Sequence, residues 1–301
     1  MISSEKIKGH IAVFSTNIIY GLNYVIAKGI MPDYFTPRAI IFIRVFVCMI
    51  LFWLTSLIFQ KKKEKVSSED LLKLAIFSVF GIALNQIMFI EGLNLTTPIN
   101  SAIIMTVTPI LVLALSFFII KDLITWYKVL GILLGASGAV LLILKTGEVS
   151  FSSATFLGNL FTFINASSFA LYIVLIKSLS DKYSPLTLMK WVFTFGFILI
   201  FPFCLKPFVQ TDFHNIPTEI WASLAFVVIG ATFLGYLLYN YALVTLSATA
   251  TSSYIYLQPV IATIVAIILG RDALGLPEII SGLMIFTGVY LVSFIHKRAR
   301  V

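Results

Sequence analysis

The sequence predicts an all-α integral membrane protein: ten transmembrane helices, arranged as two inverted five-helix repeats around a central cavity. Three observations predict it. The composition is apolar, ten apolar runs have membrane-spanning length, and the chain resembles itself at an offset of about 150 residues. Hydrophobic residues make up 59% of the 301 residues and charged residues 11%. An average soluble domain is roughly half apolar and roughly a quarter charged. At a mean hydropathy of +1.03, too little charged surface remains to wet a soluble globule of this size. Abundant apolar residues, 17 Gly and two Cys exclude disorder, collagen and a disulfide scaffold.

The candidate spans are 9–29, 36–59, 70–94, 97–120, 125–145, 156–177, 185–205, 217–244, 247–269 and 275–296. Each is long enough to cross a core of about 30 Å at 1.5 Å per residue. They must be helices, because lipid cannot satisfy an open backbone and the runs are too long for barrel strands. The first run follows Lys6 and Lys8 and imitates a signal peptide. No small-x-small cleavage site follows it, so it reads as a retained span. Cys48 and Cys204 lie inside apolar runs and read as buried free thiols.

The net charge of +8 invites a nucleic-acid reading. The basic residues sit between apolar runs instead, so the excess reads as topology, and no nucleic acid is expected. With the N terminus inside, the inner segments carry thirteen Lys and Arg and the outer ends carry five. That bias predicts both termini in the cytoplasm.

The repeat shows in paired residues. Pro109 falls on Pro259, Lys121 on Arg271, Asp122 on Asp272 and Gly138 on Gly288. Gly9 falls on Gly158, Lys28 on Lys177, and Thr36-Pro37 on Ser184-Pro185. The repeats divide the chain at 1–148 and 149–301. An odd number of spans per repeat turns the second copy upside down. Such inverted repeats build carriers with a midplane site between the halves.

The motif EGLNLTTPINSAIIMTVTPI at 91–110 has its counterpart in YALVTLSATATSSYIYLQPV at 241–260. With YGLNYVIAKG (20–29), Pro37 followed by Arg44, and KDLITWYKVLGILLGASGAVLL (121–142), the chain resembles the EamA-type transporters of the drug/metabolite transporter superfamily over essentially its whole length. Tyr20 stands where that family often has Trp before the Gly of its first span. The resemblance implies a ten-helix carrier with cytoplasmic termini and a central cavity. It also implies export or exchange of amino acids or other small metabolites across the cytoplasmic membrane of a bacterium, by alternating access.

Pro109 and Pro259 each remove a helical N–H and leave the carbonyls of Met105 and Ile255 without their helical partner. Two mid-span kinks in lipid point towards a water-filled cavity. Thr108 and Gln258 precede the prolines. Thr251, Tyr254 and Gln258 share a face, as do Ser101, Ile104 and Thr108. Such stripes line a pathway or bridge helices.

Asn17 and Tyr20 lie on one stripe of span 1, with Tyr24 and Lys28. Asn165, Phe169 and Tyr172 share a face of span 6. Asn85 pairs with Phe89 on span 3, beside Gln86, and Tyr236 with Asn240 on span 8. Amides and phenols with aromatic walls suit a zwitterionic or amphipathic solute.

Arg44, about 12 Å below the outer surface at 1.5 Å per residue, and Glu91 are the two charges clearly within spans. Intramembrane charges are expensive and usually paired or functional. Paired with each other they form an outer gate or anchor a substrate's carboxylate and amine; the plainer alternative is snorkelling. Gly131, Gly135 and Gly138 on span 5, with Ser281 and Gly288 on span 10, suit close helix packing or a dimer face, so a monomer and a homodimer both remain open.

No Walker motif and no metal-ligand spacing occurs, so neither cofactor nor metal is expected, and ATP is not hydrolysed by this chain. An intramembrane enzyme would want clustered His, Asp, Glu or Cys, whereas His10, His214 and His296 lie apart at span ends or in a loop. A channel or passive facilitator is the nearer alternative to a carrier.

Overall fold

The structure, a computed structural model, describes residues 4–60, 64–146, 153–214, 216–268 and 275–294. Among these no strand occurs. Six helices are long and apolar enough to cross a membrane, and shorter apolar helices accompany them. The outer surface is dressed with exposed Ile, Leu and Phe, among them Leu57, Ile58, Phe118, Ile198 and Phe203. A surface of that kind belongs in lipid. The protein is a multi-pass membrane protein.

The elements are α1 (Ser4–Gly29), α2 (Pro37–Phe59), α3 (Ser68–Leu95), α4 (Pro98–Met105), α5 (Thr108–Ile120) and α6 (Trp126–Thr146). They continue as α7 (Ser153–Lys177), α8 (Pro185–Val209), α9 (Thr218–Thr245), α10 (Ala248–Ser253), α11 (Leu257–Ile268) and α12 (Leu276–Phe294). The chain runs back and forth between two faces. One, the amino-terminal face, holds the start of α1 and the ends of α7 and α9. The far face holds the ends of α1 and α3.

Sequence pairs at the 148–150 offset take equivalent roles. Thr36 caps α2, its Oγ1 accepting from Ala39 N at 3.3 Å, and Pro37 follows at the first helical position. Ser184 caps α8 in the same way, accepting from Thr187 N at 3.4 Å, with Pro185 next. Both follow the rule of a hydroxyl cap and then proline. The capped helices pack on each other. Trp53 Nε1 donates to Thr194 Oγ1 at 2.9 Å, and Lys190 Nζ to Ser56 Oγ at 3.0 Å.

Exchange between the halves is the second theme. Helix α1 packs on α9 and α11, and α7 packs on α3, α4 and α5. Gly9 of α1 meets the α9–α10 junction at Thr245 and Leu246; its partner in sequence, Gly158 of α7, meets the α3–α4 junction at Leu95 and Thr96. The pairs Lys121/Arg271 and Asp122/Asp272 cannot be compared, since 271 and 272 lie outside the described residues.

Helices α6 and α12 close the bundle on one side through the predicted small residues. A Cβ on Gly288 would stand 2.5 Å from Gly131 O, and one on Gly138 would stand 2.9 Å from Ser281 O. Here the small residues pack inside one chain. Overpacking such a contact costs about 1–3 kcal/mol. Gly288→Val is therefore expected to lower the thermal unfolding midpoint of the detergent-purified protein. Gly282→Val is the control, because a Cβ there meets nothing within 4 Å; equal midpoints for the two variants would contradict this packing.

The long α3 and α9 each contain a π-helical turn, Val79–Ala83 and Phe226–Leu234. A 150-residue shift places the first inside the second. Each π turn leaves backbone carbonyls off the regular ladder, available to side chains.

The proline pair breaks its helices rather than kinking them. Helix α4 ends at Met105, and α5 begins at Thr108 with Pro109 second. Between α10 and α11 the chain forms a 3-10 turn, Tyr254–Tyr256, before Pro259. Proline lacks the N–H that the first turn of a new helix would leave unused anyway, so starting afresh is the cheaper solution.

Candidate functional site

A cavity within the bundle is lined from α1, α2, α3, α7, α9 and α11, with Ala231 of the second π turn and Met105 at the end of α4. Tyr20, Asn23 and Tyr24 of α1 form one wall. Asn85, Gln86 and Phe89 of α3 face Asn165 and Phe169 of α7. Arg44, Met105, Ala231, Tyr236 and Gln258 complete it. About 60 Å³ is left for the centres of water-sized molecules. That is room for water but little for a metabolite.

Arg44 is the one charged residue among the described residues that line the cavity, and it is 3% exposed. The α9 π turn aims it. Thr232 Oγ1 donates to Val227 O at 2.7 Å, five residues back, which leaves a lone pair for Arg44 Nε at 2.8 Å. Arg44 Nη1 has no hydrogen-bond partner. Among the described lining residues there is no carboxylate. An isolated buried charge is costly unless it is paired and hydrogen-bonded.

Glu91 does not pair with Arg44. It accepts from Arg38 Nε at 2.9 Å, at the rim of a separate recess at the far face. The reason is helical phase. Six residues along α2 turn Arg44 roughly 120° away from Arg38 at about 100° per residue, so one guanidinium faces the rim and the other the bundle centre. The expected gate between Arg44 and Glu91 is therefore absent from this structure. Beside Arg38 in the recess lies Asp212. The backbone N–H of His214, and then its ring, hold the Asp212 carboxyl below its ordinary range.

Opposite Arg44, α3 and α9 meet. Gln86 Nε2 donates to Tyr236 OH at 2.8 Å, and these residues are 150 apart. The Tyr236 hydroxyl also lies 2.9 Å from Gly81 O in the other π turn and 3.0 Å from Asn85 Oδ1; its single proton serves one of them at a time. Asn165 Nδ2 donates to Asn85 O at 2.9 Å. Gln258 Nε2 donates to Asn17 Oδ1 at 2.8 Å, and Gln258 Oε1 accepts from Tyr24 OH at 3.2 Å, tying α11 to α1.

The predicted residues thus divide. Tyr20, Asn85, Tyr236, Gln258 and Arg44 line the cavity. Asn17 stands behind, bonded to Gln258 and to Val13 O. Tyr172 and Asn240 bond each other at 3.3 Å outside the lining. Thr108 is buried beside its proline, and its hydroxyl has no partner. Tyr254 lies towards the amino-terminal face, its hydroxyl 2.8 Å from His10 Nδ1. Asn23, Gln86 and Asn165 gain importance. Each presents a buried amide oxygen without a partner: Asn23 Oδ1, Gln86 Oε1 and Asn165 Oδ1. Among the described residues that line the cavity, one guanidinium nitrogen and three amide oxygens are thus buried without a hydrogen-bond partner, and buried polar groups are rarely left so.

Lipid-facing helices around a polar, arginine-bearing cavity are the architecture of a membrane protein with an internal polar site, and the family match makes it a transporter. The chain belongs to the EamA-like transporter family, whose model matches residues 7–144 and again 156–294. It is 28% identical over 236 residues to "Uncharacterized transporter YyaM" of Bacillus subtilis (strain 168), covering 78% of this chain and 76% of that one. It is 20% identical over 227 residues to the "Probable terminal-alkyne amino-acid exporter" of Streptantibioticus cattleyicolor, covering 75% and 74%. A solved crystal structure shares the fold with a TM-score of 0.77, at 16% identity and with 100% and 99% coverage. Family and relatives point to a transporter rather than an enzyme.

Proposed function

We propose that the protein is a secondary carrier that moves a small carboxylate-bearing metabolite, an amino acid or a related compound, by alternating access. The observation that carries this is the unmatched pair of chemistries in the cavity. Among the described lining residues no carboxylate stands beside Arg44, so an occupant with a carboxylate offsets its buried charge through charge-assisted hydrogen bonds. The three amide oxygens want donors, which an ammonium group supplies. The aromatic walls of Tyr20, Tyr24, Phe89 and Phe169 suit an apolar side chain. The relative described as an amino-acid exporter supports the same class.

In this reading the chain crosses the membrane ten times, as two inverted five-helix repeats. The equivalent roles at the 148–150 offset, the reversed directions of α1 and α7, and the double family match support it. The amino-terminal face is cytoplasmic, in keeping with thirteen basic residues against five, and the membrane is the cytoplasmic membrane of a bacterium. The direction is export. The partners are the substrate and the lipid bilayer; one chain holds a complete cavity, so the monomer suffices.

The test is counterflow in proteoliposomes with a panel of amino acids and their decarboxylated amines. Saturable counterflow of one or more carboxylated compounds, and of none of the amines, is expected. Flux that never saturates would sink the carrier in favour of a channel.

A further inference from the structure

Two lysines hold repeat-related places at opposite faces. Lys28 lies in the last turn of α1 at the far face, and Lys177 ends α7 at the amino-terminal face. Lys28 Nζ donates to Leu93 O at 2.9 Å and Asn94 O at 2.6 Å, in the last turn of α3. Lys177 Nζ donates to Leu243 O at 2.6 Å, in the last turn of α9, and also lies 3.7 Å from Oδ1 of the exposed Asp181, four residues along its own chain. Leu93 and Leu243 are themselves 150 residues apart. Each ammonium thus sits on the orphan carbonyls of a helix C terminus, where the helix dipole is negative.

The packing gives these contacts a direction. Helix α1 belongs with α9 and α11, and α7 belongs with α3, α4 and α5. Lys28 therefore ties the first group to the second at the far face. Lys177 ties the second group to the first at the amino-terminal face. Both ties are closed here, and the cavity between the groups has room only for a few waters.

We infer that Lys28 and Lys177 are the two latches of the transport cycle: release of Lys28 opens the cavity to the far face, and release of Lys177 opens it to the amino-terminal face. The inference rests on the carrier reading above. A helix–carbonyl contact suits a latch, since water satisfies both the ammonium and the carbonyls once they part. A salt bridge buried on both sides would resist opening far more.

The test reads the sidedness of access. Ala231→Cys puts a thiol in the cavity wall, and each protein is compared with its counterpart lacking that change, because Cys48 and Cys204 are present. A membrane-impermeant maleimide is applied to right-side-out and inside-out vesicles. Lys28→Met is expected to raise labelling at least tenfold from the far face alone. Lys177→Met is expected to do so from the amino-terminal face alone. Lys→Arg at either position keeps the wild-type pattern.

A structural role would move both faces together, so equal changes on both faces, or none, overturn the latches. Lys→Gln replaces any Met variant that is not monodisperse, and a position where neither folds counts against a latch there. Saturable wild-type counterflow without one-sided labelling sinks the latches alone. Absence of saturable counterflow sinks the carrier reading.

Discussion

Arg44→Gln is expected to cut transport of the carboxylated substrate by about 30-fold or more while leaving the protein as stable as before or more so. Truncating one partner of a buried charge pair costs about 2–5 kcal/mol, and about 1.4 kcal/mol is tenfold. The stability arm comes from the same geometry. Among the described residues Arg44 has Thr232 as its hydrogen-bonding partner, and no carboxylate stands beside its buried charge. A neutral amide removes that cost. Arg44→Lys is expected to retain a fraction of the activity, since an ammonium keeps the charge without the planar fork that grips a carboxylate. Initial rates in proteoliposomes, with the unfolding midpoint of the same preparations, check all three. A stable Arg44→Gln protein with normal transport would remove Arg44 from the site.

Ala231→Phe carries the second large expectation. Ala231 is buried in the π turn of α9 and lines the cavity. A ring projecting from it would occupy space that holds only a few waters here. Transport should fall at least about 100-fold. Ala231 is 1% exposed, so the ring also overpacks the wall at a cost of about 1–3 kcal/mol, and the unfolding midpoint is read beside the transport rate. The comparison is with Ala231→Ser, expected to transport close to the wild-type rate. If the Phe variant transports normally, the pathway runs elsewhere.

Much of the fold is legible in the sequence, because lipid leaves few choices: an apolar run of span length must close its own hydrogen bonds. The Thr36-Pro37 and Ser184-Pro185 pair marks two helix starts. Lys28 and Lys177, noticed as a repeat pair, prove to cap equivalent helix ends. The site was harder to read. A helix in a bundle surrounded by lipid is apolar on every side, so periodicity does not say which side faces inward. Tyr254 and Gln258 share a face, yet a 3-10 turn between them separates their destinations, one beside His10 and one at the cavity. Asn85 and Gln86 stand on neighbouring phases of α3, yet both line the cavity. Nothing in the residues at 79–83 or 226–234 announces a π turn. Only the phase of α2 shows why Arg38, and not Arg44, meets Glu91.

The central claim is that the cavity takes a carboxylate through Arg44. The most direct test is ligand-dependent thermal stabilisation of the purified protein, with amino acids and their decarboxylated amines, on wild type and Arg44→Gln. A ligand at 100 times its Kd adds about 2.7 kcal/mol to the folded state, which is readily seen as a shifted midpoint. Stabilisation of the wild type by carboxylated compounds alone, lost in Arg44→Gln, is the predicted result. Equal stabilisation by the amines, or an undiminished shift in Arg44→Gln, would contradict it.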